Sequence, residues 1–494
     1  MAKFARGCYD GEMMPSCEMP PLIWRRSFKR PTNAFQRRRR YGKTCYVDNI
    51  LRNRFSRTLQ GGKPRHATRG RALTALGPHR RQIALIPRRR EPEYYSALSS
   101  VTWPSYRQST LPRGGLSYFR SSERFSKKIS QERCARLYKL FFGEEVGKTF
   151  DAAWIGQGLN LRPEGSLVAF GLLQRQPGPC GAMAVLQATI VKNILWKKIS
   201  LSYPARLNVS RKRQQMVLAV AIAEIIKRAG TPGEVCRYVT GKIARGVGPN
   251  IFKDLTIWFI QPNDLTSFVH DNIEKIIEDG IIHLVISAIF TRGITNVTSD
   301  MVVNDGLLSV EGGRLNTTQE LVNLLLTGRA VTGVHDGDKP HMKGILRQSE
   351  CGFLTYFEAR HPNAIRVGSY LKVPKYPVWV VHTEGHYSIL FCTDRQSYSR
   401  EVKTNGTAYG ELRLYHFDQF TMNDWHALSA YKLVFTGSSR KYVWAQCLDV
   451  IATCILGIWP SVKIEKLDRD DCGFTGLLKG YLPTVSQLRS VLRL

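Results

Sequence analysis

A cysteine that directly follows Gly178-Pro179 and directly precedes a long apolar run is the residue best placed to do chemistry. The stretch reads FGLLQRQPGPCGAMAVLQATI, residues 170–190. Proline suits the first turn of a helix, so Pro179 and the apolar positions after it predict a helix that begins at Cys180. The free amides and the dipole at a helix N-terminus stabilise a thiolate. Cys180 is therefore a candidate nucleophile, and a buried structural cysteine is the alternative.

A thiolate that attacks a carbonyl needs donors for the oxyanion that forms. Gln174, six residues before Cys180, offers a neutral side-chain donor beside the helix amides. Gly178 and Gly181 are expected to keep both flanks of the cysteine open to an extended substrate backbone. The segment is thus typical of attack on a carbonyl carbon.

A cysteine nucleophile also needs a general base, which is usually a histidine distant in sequence. His386 opens the second strand of a predicted hairpin, YPVWVVHTEGHYSILFC, just after its turn, where a rigid strand can aim the ring. His382 on the first strand is the nearest competitor, and a structural role is open for both. As the carboxylate that orients the base, Asp418 on the following strand is preferred to Asp394.

The elements that must position these residues change from helical to strand-like along the chain. Helix patterns come first and strand patterns follow without βα alternation, which predicts an α+β domain. The predicted elements are a helix over 211–230, two helices broken at Gly280, a short helix within 317–330, the hairpin over 376–392 and a strand over 411–420.

The first 130 residues differ from the rest in charge. They hold 29 Lys and Arg against 7 Asp and Glu, so two-thirds of the net charge of +33 lies there. Sparse apolar residues without a period predict a disordered polybasic region. Such a region could bind nucleic acid weakly and non-specifically, or be a solvated tail without a partner.

The cysteines and the termini indicate an intracellular protein, cytoplasmic or nuclear. The 11 cysteines include no CxxC pair, which argues against a zinc ribbon, and the N-terminus lacks the apolar core of a signal peptide. The stretch 443–459 approaches the length of a membrane span, but its Gln446 and Asp449 favour a buried segment. No membrane partner is expected.

Four blocks, in order, give the sequence a family resemblance. LLQRQPGPCGAMAVLQA is similar to the Gln-x-x-Gly-Gly-Pro-Cys segment of the MINDY deubiquitinases, and TTQELVNLLLTGRAV, VGSYLKVPKYPVWVV and GHYSILF resemble later blocks of that family. The fit is best to its fourth-type branch, including the B-form paralogue. The resemblance runs from about Ala153 to about Asp418. It defines a basic region over 1–130, a catalytic domain over 131–438 and a divergent tail over 439–494.

The resemblance implies a papain-like cysteine isopeptidase that cleaves polyubiquitin, with preference for the linkage that directs substrates to the proteasome. It places the nucleophile at Cys180, the oxyanion glutamine at Gln174 and the general base at His386. It implies no metal and no organic cofactor, and it makes polyubiquitin chains and ubiquitinated proteins the expected partners.

Three departures from the family pattern keep other functions open. Pro177 replaces the first glycine of Gly-Gly-Pro-Cys, which fixes φ and removes an amide N–H. The basic region matches nothing in the family, and the late Trp-Asn-Gly motif is absent after about residue 440. The alternatives to an active isopeptidase are an inactive ubiquitin-binding pseudoenzyme of the same family and a nucleic-acid binder that acts through residues 1–130.

Overall fold

The computed structural model describes residues 125–468, apart from 145–146, 197–206, 208, 304, 312, 362, 364–365, 404–408 and 438–448. The predicted disorder of the basic region therefore lies almost entirely outside the described residues. So does the predicted tail from residue 469 onward.

Helices occupy most of the first half of the described chain and short segments of the second half. In chain order they are α1 (Gln131–Phe142), α2 (Ala152–Ile155), α3 (Cys180–Trp196), α4 (Arg211–Ala229), α5 (Leu265–Asp271), α6 (Ile273–Arg292), α7 (Ile294–Asp300), α8 (Gln319–Thr327), α9 (Tyr356–Arg360), α10 (Ser369–Lys372), α11 (Arg395–Lys403), α12 (Asp424–Ala427) and α13 (Val450–Leu456).

Strands are concentrated in the second half. They are β1 (Ser126–Lys128), β2 (Cys236–Thr240), β3 (Thr256–Ile260), β4 (Leu308–Glu311), β5 (Arg314–Thr317), β6 (Gly352–Thr355), β7 (Val378–His382), β8 (Tyr387–Cys392), β9 (Tyr409–Phe417), β10 (Leu428–Thr436) and β11 (Lys463–Leu467). This mixture, with helices before strands, confirms the predicted α+β class.

The main sheet has the strand order β11-β10-β9-β8-β7-β6. Its neighbouring strands are antiparallel, except for the parallel pair of β6 and β7. The predicted division of the chain at residue 439 falls between β10 and β11 of this sheet. Strands β1, β3 and β2 form a smaller sheet, and β4 and β5 form a hairpin.

Helix α3 is buried on every side. Its sequence, CGAMAVLQATIVKNILW, is apolar around the whole circumference, and the residues from Cys180 to Leu195 are buried. A helix of this kind belongs in the centre of a protein. It packs against β7 and β8 of the main sheet and against α4 and α8. The N-terminus of α3 is thereby fixed relative to the strands that carry the candidate base.

The second half of α3 carries a buried lysine in a cluster of ions. Lys192 Nζ lies 2.7 Å from Glu224 Oε2 on α4 and 2.7 Å from Glu350 Oε2, which precedes β6. Arg228 on α4 adds a contact of 3.2 Å to Glu350. Only 4% of the Lys192 side chain is exposed, so its charge requires these partners. The cluster ties α3 to α4 and to the start of the main sheet.

The predicted local elements are present in the described residues, but β9 ends at Phe417, before Asp418, and β8 begins at Tyr387, directly after His386. Helix α4 lies within the predicted range, and Gly280 interrupts α6 with a φ of 78°. Thr318 caps α8 by accepting from Leu321 N, and the left-handed Gly328 ends the helix. Strands β7 and β8 form the predicted hairpin, in which His382 pairs with Tyr387.

The stretch 443–459, which approaches the length of a membrane span, contains a short buried helix in its described part. Asp449 caps α13 by accepting from Ile451 N, and the helix ends after seven residues. Its apolar side chains share a core cluster with Trp379 and other residues of the main sheet and with Tyr398 on α11. In the part of the chain that the structure describes, no helix is both long and apolar enough to cross a membrane.

Candidate active site

Cys180 is the first residue of α3 and is almost fully buried, with 3% of its surface exposed. The turn before it is held by β5. Thr317 donates to the carbonyl oxygen of Gly178 through its backbone N (3.2 Å) and its Oγ1 (3.0 Å). The Cys180 Sγ lies 3.9 Å from the same oxygen. The nucleophile candidate therefore sits on a braced turn at a helix N-terminus, as the sequence predicts.

Gly178 and Gly181, which were predicted to leave room for a substrate backbone, lie in close contact with other parts of the protein. Gly178 has a φ of 126°, and a Cβ there would lie 2.6 Å from the Leu315 carbonyl oxygen. A Cβ on Gly181 would lie 2.9 Å from the side chains of Thr317 and Val322. The absence of side chains thus lets β5 and α8 pack closely against the cysteine turn. In the direction of a Cβ, the space beside both glycines is filled by the protein itself.

His386 lies directly after the hairpin turn, where Gly385 takes a φ of 75°. Its Nε2 is 2.9 Å from Oδ1 of Asp418, and its ring is close enough to the Cys180 side chain to interact with it electrostatically. Burial alone would favour the neutral ring. The hydrogen bond with Asp418 and the interaction with Cys180, together with the negative charges of both, outweigh it and raise the pKa of His386 to about 10. The ring is therefore protonated at neutral pH.

Asp418 follows the last residue of β9 and is fixed by backbone bonds on both sides. Its N donates to the Ala427 carbonyl oxygen (2.8 Å), and its Oδ1 accepts from Phe420 N (2.9 Å). Burial would raise the pKa of the carboxyl, but the His386 ring and the Phe420 amide hold it below its usual value. A charged Asp418 can thus hold the imidazolium in one orientation.

The competing candidates lie in other environments. The His382 ring stacks on Tyr387, with the centroids 4.1 Å apart, and burial and the nearby charge of His386 lower its pKa to about 3. His416 bonds Ser388 Oγ through Nε2 at 2.8 Å, and burial lowers its pKa to about 4. Asp394 caps α11 through contacts with Gln396 and Ser397. Of these groups, only His386 combines contact with Cys180 and a positive charge at neutral pH.

Gln174 is fully buried near the start of the cysteine turn. Its Nε2 donates to the Gln176 carbonyl oxygen at 2.7 Å, which uses one of its two N–H groups. Its Oε1 accepts from Nε2 of Gln419 at 3.5 Å. Gln419 is a residue that the sequence reasoning missed. The available signal was its place directly after Asp418, where a polar pair ends a strand with alternating apolar residues.

The loop after Gln419 places apolar side chains beside the histidine. The Phe420 ring centroid lies 5.9 Å from that of His386, and 38% of Phe420 and 67% of Met422 are exposed. The buried guanidinium of Arg162 fixes the loop by donating to the Thr421 and Met422 carbonyl oxygens and to Asp424. This gives the site a rigid apolar rim.

The arrangement can carry out nucleophilic acyl transfer. The charged ring can donate its proton to a leaving group, and the neutral ring that remains can accept a proton from an attacking nucleophile. The first amides of α3 point at the same region and can stabilise an oxyanion. Within the described ranges, no group of His, Cys, Asp and Glu side chains is placed to hold a metal ion.

The chain is similar to curated proteins over the part that carries this site. It is 34% identical over 316 residues to "Probable ubiquitin carboxyl-terminal hydrolase MINDY-4" of Bos taurus, covering 59% of this chain and 39% of that protein. The Xenopus tropicalis protein of the same name is 31% identical over 313 residues, covering 59% and 40%. "Ubiquitin carboxyl-terminal hydrolase MINDY-3" of Homo sapiens is 28% identical over 263 residues, covering 45% and 57%.

These similarities are partial in length. The chain spans about two-fifths of the MINDY-4 relatives that it matches. No solved structure matches the chain significantly. The model of the family described as "Deubiquitinating enzyme MINDY-3/4, conserved domain" matches residues 138–443, which is well over half of the sequence and includes Cys180, His386 and Asp418. The chain therefore belongs to the MINDY-3/4 family of deubiquitinating enzymes.

Proposed function

We propose that this chain is a cysteine isopeptidase with a papain-like catalytic arrangement that hydrolyses polyubiquitin. The observation that carries the proposal is the contact of Cys180 with a histidine that Asp418 holds protonated. Membership of the MINDY-3/4 family supplies the substrate class. The family resemblance extends it to the linkage that directs substrates to the proteasome.

The first step is attack by the Cys180 thiolate on the carbonyl carbon of the ubiquitin C-terminal glycine. The resulting oxyanion is stabilised by the amides at the start of α3 and by the remaining N–H of Gln174. His386 then donates its proton to the departing lysine amine, the C–N bond breaks, and a thioester to Cys180 is left.

The second step is hydrolysis of this thioester. His386, now neutral, takes a proton from a water molecule that attacks the acyl carbon, and the C–S bond breaks to release the ubiquitin carboxylate and the thiolate. Asp418 keeps the ring oriented through both proton transfers, since its Oδ1 stays bonded to Nε2. The remaining ring nitrogen, Nδ1, is the one that exchanges protons with the reacting groups.

A pseudoenzyme would require the cysteine turn to be displaced from the base. Pro177 is the residue that could cause this, because it replaces a glycine of the family pattern. The contact between Cys180 and His386, formed with Pro177 in place, favours the active enzyme. The free Cys134, Cys180 and Cys351 agree with an intracellular location, cytoplasmic or nuclear.

The test is cleavage of long ubiquitin chains by the full-length protein, followed on a gel. The matched variants are Cys180→Ala, His386→Ala and, as a control for cysteine removal elsewhere, Cys351→Ala. The proposal expects chain shortening by the wild type and by Cys351→Ala alone. Chains that stay intact with the wild type but co-purify with it would instead identify a ubiquitin-binding pseudoenzyme.

Nucleic-acid binding through the basic region is the second candidate, favoured by the charge of residues 1–130. Its test is the salt dependence of binding to a DNA duplex, with and without residues 1–124, which spares β1. A steep salt dependence that disappears on deletion supports binding by counterion release. Salt-independent or undiminished binding contradicts it.

A further inference from the structure

We infer that Gln419 is a positioning residue, a buried amide that holds the nucleophile turn, the base strand and Gln174 in their reactive arrangement. The inference deepens the proposed function and rests on it. Gln419 is fully buried, and its Nε2 faces oxygens from three parts of the site: Tyr387 O at 2.6 Å, Cys180 O at 3.4 Å and Gln174 Oε1 at 3.5 Å.

The orientation of the Gln419 amide is determined by its surroundings. Tyr387 O and Cys180 O are backbone carbonyls, which can only accept hydrogen bonds. The nitrogen of Gln419 must therefore face them. In the opposite orientation, its Oε1 would lie against the oxygens of Tyr387, Cys180 and Gln174 and could accept no hydrogen bond from them. Tyr387 is the neighbour of His386, and Cys180 is the nucleophile itself, so one amide spans the two halves of the catalytic pair.

The same amide controls the orientation of Gln174. A glutamine side chain has nearly the same shape in its two amide orientations, but only the one with N–H toward the reacting carbonyl can stabilise an oxyanion. The Nε2 of Gln419 donates to Oε1 of Gln174, and the backbone carbonyl oxygen of Gln419 accepts from Gln174 N (3.0 Å). It thereby keeps the oxygen of Gln174 on the Gln419 side and, together with the Gln176 carbonyl, directs the N–H groups away from it.

The oxygen end of the Gln419 side-chain amide is left unsatisfied, a feature that it shares with Gln214 on α4. Its Oε1 is buried and has no hydrogen-bond partner. An unpaired buried carbonyl destabilises the fold and needs another explanation when it occurs in a native protein. What distinguishes Gln419 from Gln214 is therefore the set of oxygens that its Nε2 faces, all of which belong to the candidate site.

The first experiment does not require ubiquitin. The alkylation rate of Cys180 by iodoacetamide is measured by peptide mass spectrometry across pH in full-length wild type and Gln419→Met, which keeps the volume and removes the donors. If Gln419 positions the pair, the rate at about pH 6 falls tenfold or more in the variant, as the thiolate loses the aligned imidazolium. An unchanged profile in folded Gln419→Met overturns the inference.

Gln214→Met is the matched control. Gln214 is equally buried, donates from Nε2 to two backbone carbonyls (Arg162 O at 2.9 Å and Ala169 O at 2.7 Å) and also has an unpaired Oε1, but it lies on α4. Its variant is expected to keep the wild-type alkylation profile. An equal loss of Cys180 reactivity in Gln214→Met would contradict a specific role for Gln419.

The second experiment separates binding from turnover. With a fluorogenic ubiquitin conjugate as substrate, Gln419→Glu and Gln419→Met are expected to lower kcat about 100-fold with little change in KM. Glu keeps the shape and offers at most one donor, so it also serves if Met impairs folding. A change in KM alone overturns the inference. Two results together would uphold the positioning role and reject the proposed substrate. They are slower alkylation of Cys180 in Gln419→Met than in the wild type, and no cleavage of ubiquitin by the wild type.

Discussion

The two ends of α3 carry two buried networks of charge that resemble each other and serve different purposes. At the N-terminus, Cys180 contacts His386, which is paired with Asp418. Further along the helix, Lys192 is paired with Glu224 and Glu350. The His386 and Asp418 side chains are 27% and 23% exposed, whereas Lys192 is 4% exposed. The base of the first network is reachable from outside, whereas in the second the cation is enclosed and only the carboxylates, Glu224 at 22% and Glu350 at 41%, are exposed.

Each network also has a cysteine beside a cation, and the contrast bears on the proposed role of Cys180 as the nucleophile. Cys351 lies beside Lys192 and Arg228, yet burial outweighs both charges and raises the pKa of its thiol to about 11. Its Sγ is 3.8 Å from the Ala188 carbonyl oxygen. Lys192 is paired with two carboxylates and does not accept the thiol proton. Cys180 instead faces an imidazole that can accept and return a proton, and this difference decides reactivity.

The largest expected effect separates these two cysteines directly. Cys180→Ala is expected to lower the rate of ubiquitin-chain cleavage by a factor on the order of 10⁵, since the covalent route is lost. Cys351→Ala should leave kcat within about twofold, because its thiol takes no part in the reaction. Initial rates with equal amounts of folded protein measure both. A loss of activity in Cys351→Ala that thermal melts do not explain would break the comparison.

Asp418→Asn is expected to lower kcat about 100-fold and to change the pH dependence. The carboxylate charge helps to raise the pKa of His386 to about 10, so its removal lowers that pKa. The proton needed by the leaving amine is then lost at lower pH, and the alkaline fall in kcat/KM begins earlier. Rates from about pH 6 to about pH 10 measure the shift. An alkaline limb that stays in place would show that Asp418 does not control the ring.

At the other end of the helix, Lys192→Met is expected to affect stability and not chemistry. Removing one partner of a buried ion pair costs about 3–5 kcal/mol, but Glu224 and Glu350 are partly exposed and Arg228 remains, so about 2 kcal/mol is expected. Urea unfolding measures this loss, and kcat per folded molecule should be unchanged. A fall in kcat at full folding would mean that the two networks are coupled through α3.

Pro177→Gly is expected to have the smallest effect on activity and stability. The cysteine turn already brings Cys180 to His386, so kcat should rise no more than about threefold, and stability should fall by about 1 kcal/mol as the unfolded chain gains freedom. The same kinetic assay and unfolding curves measure both quantities. A much larger rise in kcat would show that proline holds the turn in a less active conformation than the one described.

The sequence predicted the parts of the site that depend on local signals. Pro179 and the apolar run after it placed the start of α3, and the turn at Gly385 placed His386 directly before β8. The Thr318 cap and the Gly328 stop delimited α8 for the same reason. Each of these signals lies within a few residues of the feature that it specifies.

The features of the site that could not be predicted from the sequence depend on contacts between distant segments. Gln419 meets Cys180, Gln174 and Tyr387 only because it follows β9, which pairs with β8, and α3 packs against β8. The close fit of Gly178 and Gly181 against the β4–β5 hairpin likewise requires a partner far along the chain. No local pattern marks such contacts, since they are set by the packing of whole elements.

One measurement tests the role of Cys180 most directly. Full-length protein is incubated with ubiquitin that carries a C-terminal alkyne electrophile, and the adduct is located by peptide mass spectrometry. A single vinyl thioether on Cys180, absent in His386→Ala and unaffected by Cys351→Ala, is the expected result. An adduct on Cys351 or another cysteine, or none in the wild type, would contradict a Cys180 nucleophile primed by His386.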